Sequence, residues 1–524
     1  MKVNKLLIFG FFSFLFGVFF VQIKELHPIF LYSCLLTVLA FYLFVLNNIK
    51  RKKKNYGKIL RSTSHLYYTI LGSLFFSLSE KKKADIDFFK EKKIFIATCS
   101  SDLKETKKAK VLNSEITHLL NENIYSPIAS TSCKIILPKN FPKELYKGDK
   151  IFFEKKINEV NIKKASPIFK NLAKANQVYY SVFLNEKDVK IFFKHSTSNF
   201  HNFSFLFHIK KFLETSLVEK IKNKKILSIV ISLVLGNKNY MLEEVQENYS
   251  KTGTIHVLAV SGLHVGVFYL LVQYFLKFFF FFLSDFHFIK EICSLIFLWL
   301  FAIISGFSPS VVRATTMFSI ISLGKIFKKK VTIYDSLAIS SFIILFYNPR
   351  MIFDIGFQLS YSAVLGIAMF NSRFKNIFSI QNKFLNKIWA MISISLSAQL
   401  GTFPLTSYYF FVFPTYFLIG NILIVPLACF VLYGGIFTIT FSKVPFLGTA
   451  FAYGTSLIAS FMNWFTSFLS GLPYHAIFLP MNFYEVICLY FIIISFYFFV
   501  NTKKFSWLMT FLFCVCSAAI YIAI

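Results

Sequence analysis

Thr254-Ile255-His256-Val257-Leu258-Ala259-Val260-Ser261-Gly262-Leu263-His264-Val265 sets two histidines, a serine and a glycine inside an otherwise apolar run. Just beyond it comes Phe278-Phe279-Phe280-Phe281-Phe282, so the run is headed into a bilayer. Polar groups at membrane depth are costly and tend to mark a pathway or a site. The segment therefore points to a polytopic membrane protein whose working residues lie among its helices.

Composition agrees with that reading. Of 524 residues, 56% are hydrophobic, and the mean hydropathy is +0.59. Such values exclude a soluble domain of this size and call for recurrent membrane helices. The net charge is +32, nearly all of the excess being lysine. Two readings of that excess fit: an AT-rich coding sequence, or attraction to a polyanion, either anionic lipid or nucleic acid. The eight cysteines form no CxxC pair. Most of them lie in apolar runs as small fillers. Cys99 and Cys133 lie in the one polar region, where a disulfide is possible if that region is extracytoplasmic.

The chain divides into membrane helices at 1–79, a β domain at 80–202, a second membrane domain at 203–505 and a last membrane helix at 506–524. Apolar runs Leu6 to Val21, Ile29 to Leu46 and Leu66 to Leu78 open the chain, and the second ends at Lys50-Arg51-Lys52-Lys53-Lys54. The positive-inside rule then makes the N-terminus cytoplasmic and residues 80–223 extracytoplasmic. That outward region carries an excess of lysine, which long translocated domains tolerate. Short alternating stretches at Lys93 to Ala97, Lys134 to Leu137, Lys150 to Glu154 and Val178 to Phe183 read as strands. About five strands in this length suit an OB-type barrel. Lysines interleaved with Phe152-Phe153 and Phe192-Phe193 fit a single-strand-binding groove, or a barrel core beneath a solvated lysine face. From Phe203 to Lys225 an amphipathic helix is expected at the membrane surface. Membrane helices follow at roughly 257–283 (with a possible break), 288–306, 311–327, 333–347, 351–371, 386–403, 415–440, 449–470, 484–500 and 507–523. The fold class is thus a polytopic α-helical membrane protein of about 11–13 membrane helices with an inserted extracytoplasmic small β domain, OB-like.

Four polar interruptions carry the candidate chemistry. In the first, Gly253 and Gly262 break the helix, and Ser261 and His264 are three apart. A Ser/His hydrolase is one reading, with Glu243, Glu244 or Glu247 as the acid. A metal between His256 and His264 is disfavoured, because they stand about 80° apart on an ideal helix. Plain helix-to-helix hydrogen bonding is as consistent with both histidines. In the second, Ser305 to Ala314, Gly306 and Pro309 lead into a helix bearing Arg313. Its guanidinium suits a phosphate, and snorkelling to the interface fits equally. In the third, Asp354, Gln358 and Ser360 make a polar stripe, and Asp354 is a candidate partner of Arg313. In the fourth, Gln399 to Leu405 and Asn421 to Leu427 place Gln399, Asn421 and Pro426 in apolar helices. Together they suggest one internal cavity or channel. There is no GxxxxGK[ST] motor motif and no HxHxDH metal motif. No catalytic residue, metal or cofactor is expected.

Taken together, these segments resemble the ComEC/Rec-type competence family, inner-membrane DNA-uptake channels of naturally transformable bacteria. The matching pieces are Leu235-Gly236-Asn237, Thr252-Gly253-Thr254 with His256 to Val265, Gly306 to Ala314, Asn348-Pro349 with Asp354 to Ser360, Gln399 to Leu405 and Asn421 to Leu427. The resemblance covers about 205 to 505, and the region before it resembles the family's OB-like domain in pattern only. It implies passage of single-stranded DNA into the cytoplasm of a bacterium through its inner membrane, the polar stripe lining the path. A periplasmic helix-hairpin-helix receptor would deliver the DNA. A separate cytoplasmic ATPase or single-strand-binding proteins would draw it in, and membrane lipid would surround the channel. The metallo-β-lactamase-like domain that many members carry has no counterpart in this sequence, so a separate nuclease is implied. The alternatives are a small-solute permease with a competence-like core and the intramembrane Ser/His hydrolase.

Overall fold

A computed structural model describes residues 66, 69–73, 93–99, 104–105, 109–121, 124–141, 149–155, 157–159, 171, 180–185, 188–193, 201–237, 240–258, 260–279 and 287–523. The two N-terminal apolar runs and the basic cluster after them lie outside these residues. The chain forms two compact units, one of Met1–Ser204 with Ser341–Ile355 and one of Phe205–Ser340 with Gly356–Ile524.

The first unit holds a sheet of eight strands: β1 Lys93–Cys99, β2 Lys104–Glu105, β3 Ala109–Asn121, β4 Ile124–Pro138, β5 Lys150–Lys155, β6 Asn158–Glu159, β7 Tyr180–Phe183 and β8 Val189–Phe193. All four expected stretches are strands over their described residues. The order is β6-β7-β4-β3-β1-β5-β8, with β2 also on β3. Neighbours are antiparallel except β4 and β7, which are parallel. β7 and β8 stand far apart in this order yet follow one another in the chain. Six residue steps reach at most about 21 Å, whereas five strand intervals laid flat span about 24 Å. The sheet must therefore curl, and a tight turn from Asn185 to Asp188 shortens the reach further.

Alternation decides what fills the curl. Phe95, Ala97, Leu112, Ile116, Ile135, Leu137, Ile151, Phe153 and Val182 all point inward and form one buried cluster. Phe95 and Phe153 are register partners with ring centroids 5.7 Å apart. Phe153 is thus core and the adjacent Phe152 faces the other way, half-buried.

The register also corrects the expected disulfide. Cys99 pairs with Ser114 on β3, and Ser114 pairs with Cys133 on β4. The two cysteines are thus two strand spacings apart, roughly 9–10 Å, beyond the ~7 Å that a disulfide bridges. Both are buried, and burial pushes the Cys133 thiol up to about 12. Ser114 Oγ donates to the Cys133 carbonyl at 3.1 Å. Alkylation of the unreduced, denatured protein is expected to modify both cysteines. A Cys99–Cys133 cross-linked peptide in the digest would refute this register.

The second unit is helical: α1 His201–Lys220, α2 Lys224–Leu235, α3 Glu243–Lys251, α4 Ile255–Leu258, α5 Gly262–Phe279, α6 His287–Ile304, α7 Pro309–Ile326, α8 Ile333–Tyr347, α9 Ile355–Lys375, α10 Lys383–Phe410, α11 Phe417–Thr440, α12 Pro445–Gly471, α13 Phe483–Thr502 and α14 Phe505–Ala523. The ends of α1, α8 and α9 run into the first unit. α5 to α14 lie where ten membrane helices are expected. Among the described residues, α10, α11 and α13 are long and apolar enough to cross a membrane. Shorter apolar helices lie in α5, α8 and α14.

The amphipathic helix expected to Lys225 ends earlier, at Lys220. Asn223 then caps α2 by accepting from the Lys225 N–H at 2.9 Å. Every residue of α2 from Ile226 to Leu235 is buried. At ~1.5 Å per residue its 12 residues reach only about 18 Å, short of a ~30 Å hydrocarbon core. It is a core helix, packed with Ile424, Ala428, Val431 and Leu432 of α11 and Ala452, Ala459 and Met462 of α12. At the start of α8, Thr332 and Asp335 exchange bonds: Asp335 Oδ2 accepts the Thr332 N–H at 3.0 Å, and Thr332 Oγ1 accepts the Asp335 N–H at 3.2 Å. This reciprocal cap accounts for a buried acid. The connections at 411–416 and 472–482 meet in a small sheet, β9 Val412–Pro414 on β10 Ala476–Phe478.

Candidate functional site

The opening segment is a helix break built turn by turn. Thr252 ends α3, and Gly253 follows at φ +74°. A Cβ on Gly253 would stand 2.5 Å from Pro414 Cγ and 3.3 Å from Phe417 Cβ. A Cβ on Gly420 would stand 2.8 Å from Thr254 Cγ2. The Thr252-Gly253-Thr254 turn is therefore seated on the start of α11, beside Asn421. Thr252 and Thr254 are fully buried and share a hydroxyl bond of 2.8 Å. His256 Nδ1 lies 3.0 Å from the Gly253 carbonyl. A carbonyl only accepts, so Nδ1 carries the proton.

After α4 the chain breaks again and α5 starts with Ser261 at its N-cap. His264, wholly buried, folds back so that Nδ1 accepts the Ser261 N–H at 3.1 Å, with Ser261 Oγ at 2.9 Å. This is the side-chain-to-N-cap half of a capping box, with histidine where glutamate or glutamine is usual. Accepting at Nδ1 puts the proton of the neutral ring on Nε2, which offers no lone pair to a metal. Nε2 is buried and has no partner among the described residues. Glu243, Glu244 and Glu247 do not orient this ring. All three are exposed, Glu244 pairs with Lys225 at 2.8 Å, and Glu247 pairs with Lys251 at 3.1 Å. Capping makes a sharp prediction. His264→Gln is expected to keep the melting temperature, and His264→Leu to lower stability by about 1–3 kcal/mol by orphaning the Ser261 N–H. Equal loss in both variants would refute capping as the role of His264.

The break meets the second interruption. Ser310 Oγ donates to the Val260 carbonyl at 2.6 Å. A Cβ on Gly262 would touch Ala314 Cβ at 3.5 Å, and Gly236 (φ +68°) abuts Ser305 and Val260. Gly306 and Phe307 turn the chain with positive φ. Val260, Val265 and Tyr269 share a core with Leu298, Phe301, Val311 and Ala314. Arg313, 3% exposed, stands near enough to Tyr361 of α9 to interact with it electrostatically. Tyr361 in turn donates to Ser340 Oγ at 3.0 Å.

The remaining expected residues lie on α9, α10 and α11. Gln358 Oε1 accepts from Tyr409 at 2.7 Å. Tyr490 donates to the Gly401 carbonyl at 2.9 Å, in the stretch of α10 that also holds Pro404. Ser360, Gln399 and Pro426 are half-buried, and Asn421 Oδ1 is buried without a partner among the described residues. The expected Asp354–Gln358–Ser360 stripe is corrected at its first member. Asp354 is extended (φ −67°, ψ 122°), between a 3-10 turn at Pro349–Phe353 and α9, so it marks a helix start and shares no helical face with Gln358.

One cluster escaped the reading of the sequence. Tyr269, Gln273, Glu291, Ser294, Ser322 and Lys325 meet between α5, α6 and α7. They come two to a helix, three or four residues apart. The available signal was Glu291, a carboxylate just inside the apolar run that ends at Ile304.

Comparison with known proteins bears on the same region. The family described as competence protein matches residues 233–504. "ComE operon protein 3" of Bacillus subtilis (strain 168) is 29% identical over 247 residues, 46% of this chain and 29% of that protein. An "Uncharacterized protein" of Aquifex aeolicus (strain VF5) is 28% identical over 243 residues, 45% of this chain and 54% of that one. The matched stretches thus span less than two thirds of either relative. No solved structure matches. The match runs from the end of α2 to the end of α13 and takes in the helix break, the Arg313 loop and the α9–α11 polar residues: the chain belongs to the competence protein family.

Proposed function

We propose that this protein is an inner-membrane channel that passes single-stranded DNA into the cytoplasm during natural transformation, with no catalytic step of its own. The observation that carries this reading is the break from Thr252 to Gly262. Non-helical backbone within a membrane bundle is tolerated where it is buried in protein or lines a water-filled cavity. Here it is held between α7 and α11 and flanked by buried polar groups.

Loop charge supports a direction. Lys277 and Lys290 flank the α5–α6 connection; Lys325, Lys328, Lys329 and Lys330 flank α7–α8; Arg373, Lys375, Lys383 and Lys387 flank α9–α10; Lys443 lies between α11 and α12, and Lys503 and Lys504 between α13 and α14. The connections 305–308, 411–416 and 472–482 carry no Lys, Arg, Asp or Glu, and the α8–α9 connection balances Arg350 against Asp354. Basic and uncharged connections alternate through ten helices, as multi-pass topology with the basic side cytoplasmic requires. The Thr252–Gly262 break then opens toward the outer side, where DNA arrives. The β unit fits as an OB-type barrel on that side: β1, β3 and β4 antiparallel, β4 parallel to β7, β5 returning to β1, and β8 pairing with β5. A helix-hairpin-helix receptor outside, an ATPase or single-strand-binding proteins inside and a separate nuclease complete the pathway.

The test is uptake of labelled DNA by a deletion strain complemented with the full chain. Without the protein, label is expected to stay DNase-accessible outside the cytoplasm and transformants to vanish; normal transformation in the deletion strain overturns the reading.

A further inference from the structure

The α5–α7 cluster lies outside the path residues discussed above. Glu291 is 1% exposed, yet it is a carboxylate among apolar helices. The Tyr269 hydroxyl donates to its Oε2 at 3.1 Å, lies 3.0 Å from Ser322 Oγ and accepts from Lys325 Nζ at 2.9 Å. Lys325 Nζ also stands 3.4 Å from Glu291 Oε1, and its side chain is 42% exposed. The acid is fixed inside, and the ammonium that balances it reaches in from the basic end of α7. Buried carboxylates held this way are how membrane proteins store protons.

A second observation extends the cluster along α7. Serines and threonines in these helices mostly return their hydrogen to the preceding turn, as Thr316, Ser393, Ser397 and Thr466 do. Thr315 and Ser319 do not. Their oxygens are buried and have no partner among the described residues. At i, i+4 and i+7, Thr315, Ser319 and Ser322 follow one side of α7 in steps of about 5–6 Å. That side carries Val311, which packs with Val265 and Tyr269 of α5, and Tyr269 meets Ser322. Thr315 begins the row next to Ala314, the residue that meets Gly262 at the helix break. A buried hydroxyl without a partner costs about 1–3 kcal/mol, and internal water bridging two polar groups relieves that cost.

We infer that α5, α6 and α7 enclose a water-bridged proton path that runs from the Gly262 break along Thr315, Ser319 and Ser322 to Glu291. This function is additional to the DNA conduit. A hydronium at Ser322 gives one proton to a Glu291 carboxylate oxygen, leaving water and a neutral carboxylic acid. Lys325 loses its counter-charge and withdraws toward the basic end; release of the proton from Glu291 to water there restores the ion pair. Nothing is oxidised or reduced. The titratable groups facing Glu291 are Tyr269 from α5 and Lys325 from α7.

The full chain is reconstituted in phosphatidylethanolamine–phosphatidylglycerol vesicles holding a pH-sensitive dye, and a potassium diffusion potential is imposed with valinomycin. Proton entry is expected to exceed that of protein-free vesicles, to fall at least tenfold in Glu291→Gln, and to fall severalfold in Thr315→Val with Ser319→Ala. Entry no faster than in empty vesicles, or Glu291→Gln as fast as the parent, overturns the path. If Glu291→Gln does not fold, the α7 double variant decides, and unchanged flux in it overturns the path. No DNA is present, so the outcome is separate from that of the conduit.

Discussion

Gly401→Val is expected to unfold the helical unit and to end transformation with it. Gly366 of α9 and Gly401 of α10 meet where the two backbones touch. A Cβ on Gly366 would stand 3.0 Å from Gly401 Cα, and one on Gly401 would stand 3.1 Å from Gly366 Cα while running into the Ser362 carbonyl oxygen. Ser362 and Ser397 lie four residues before the two glycines, so each helix offers small residues at i and i+4. Where lipid supplies no hydrophobic drive between helices, such close approach is what holds them together. The atoms in the way are backbone atoms, which cannot rotate aside. Overpacking ordinarily costs about 1–3 kcal/mol, and a branched side chain against backbone belongs at or above the top of that range. α13 is tied to the same point by the Tyr490–Gly401 bond, and α9 carries Gln358 two turns earlier, bonded to Tyr409 of α10. Prising the crossing open thus displaces Gln358 and Tyr409, residues of the proposed path, as well as destabilising the fold. The control is Gly454→Ala on α12, where a Cβ meets nothing within 4 Å. In detergent, Gly401→Val should lose its cooperative melt while Gly454→Ala keeps it. A Gly401→Val protein that melts with the parent would show that the crossing is not tight.

The contrast between what could and could not be read ahead follows from periodicity. α5 to α14 announce themselves because each is an apolar run bounded by lysine, proline, glycine or asparagine. The strands of the β unit were legible as alternation, which also fixed which of Phe152 and Phe153 turns inward once the register was known. α2 was not legible as a separate element: Ile226 to Leu235 are buried on every side, so no polar face marks its period. The Cys99–Cys133 pairing failed because strand order, not sequence spacing, sets their separation. The Asp354 stripe failed because the 3-10 turn begun by Pro349 delays the helix to Ile355. His256, Ser261 and His264 stand at the break, and their bonds are local. His264 caps its own helix and His256 ties down its own turn, so the break is built by the residues that first suggested catalysis. The Glu291 cluster was illegible because it is assembled across three helices, each giving only two of its residues.

Arg313→Ala is expected to lower transformation at least 100-fold. Arg313 is the fifth residue of α7, and only 3% of it is exposed. A cation so placed cannot be left to lipid. Its burial excludes the snorkelling alternative, since a snorkelling guanidinium would stand in water. Tyr361, within electrostatic reach and bonded to Ser340, joins α8 and α9 to the same spot. Truncation to alanine removes a buried cation and leaves a void in its place, a large-to-small change of the kind that costs about 2–5 kcal/mol. Arg313→Lys separates the two reasons for its presence. Lysine keeps the charge and loses the planar fork of donors. If Arg313 serves the path through its charge, Arg313→Lys restores transformation while the melting temperature stays low. If it serves the fold through its geometry, the lysine variant fails in both measurements, like alanine. Full transformation and an unchanged melt in Arg313→Ala would remove Arg313 from the site altogether and leave the wall of the path to Gln358, Tyr409 and Asn421.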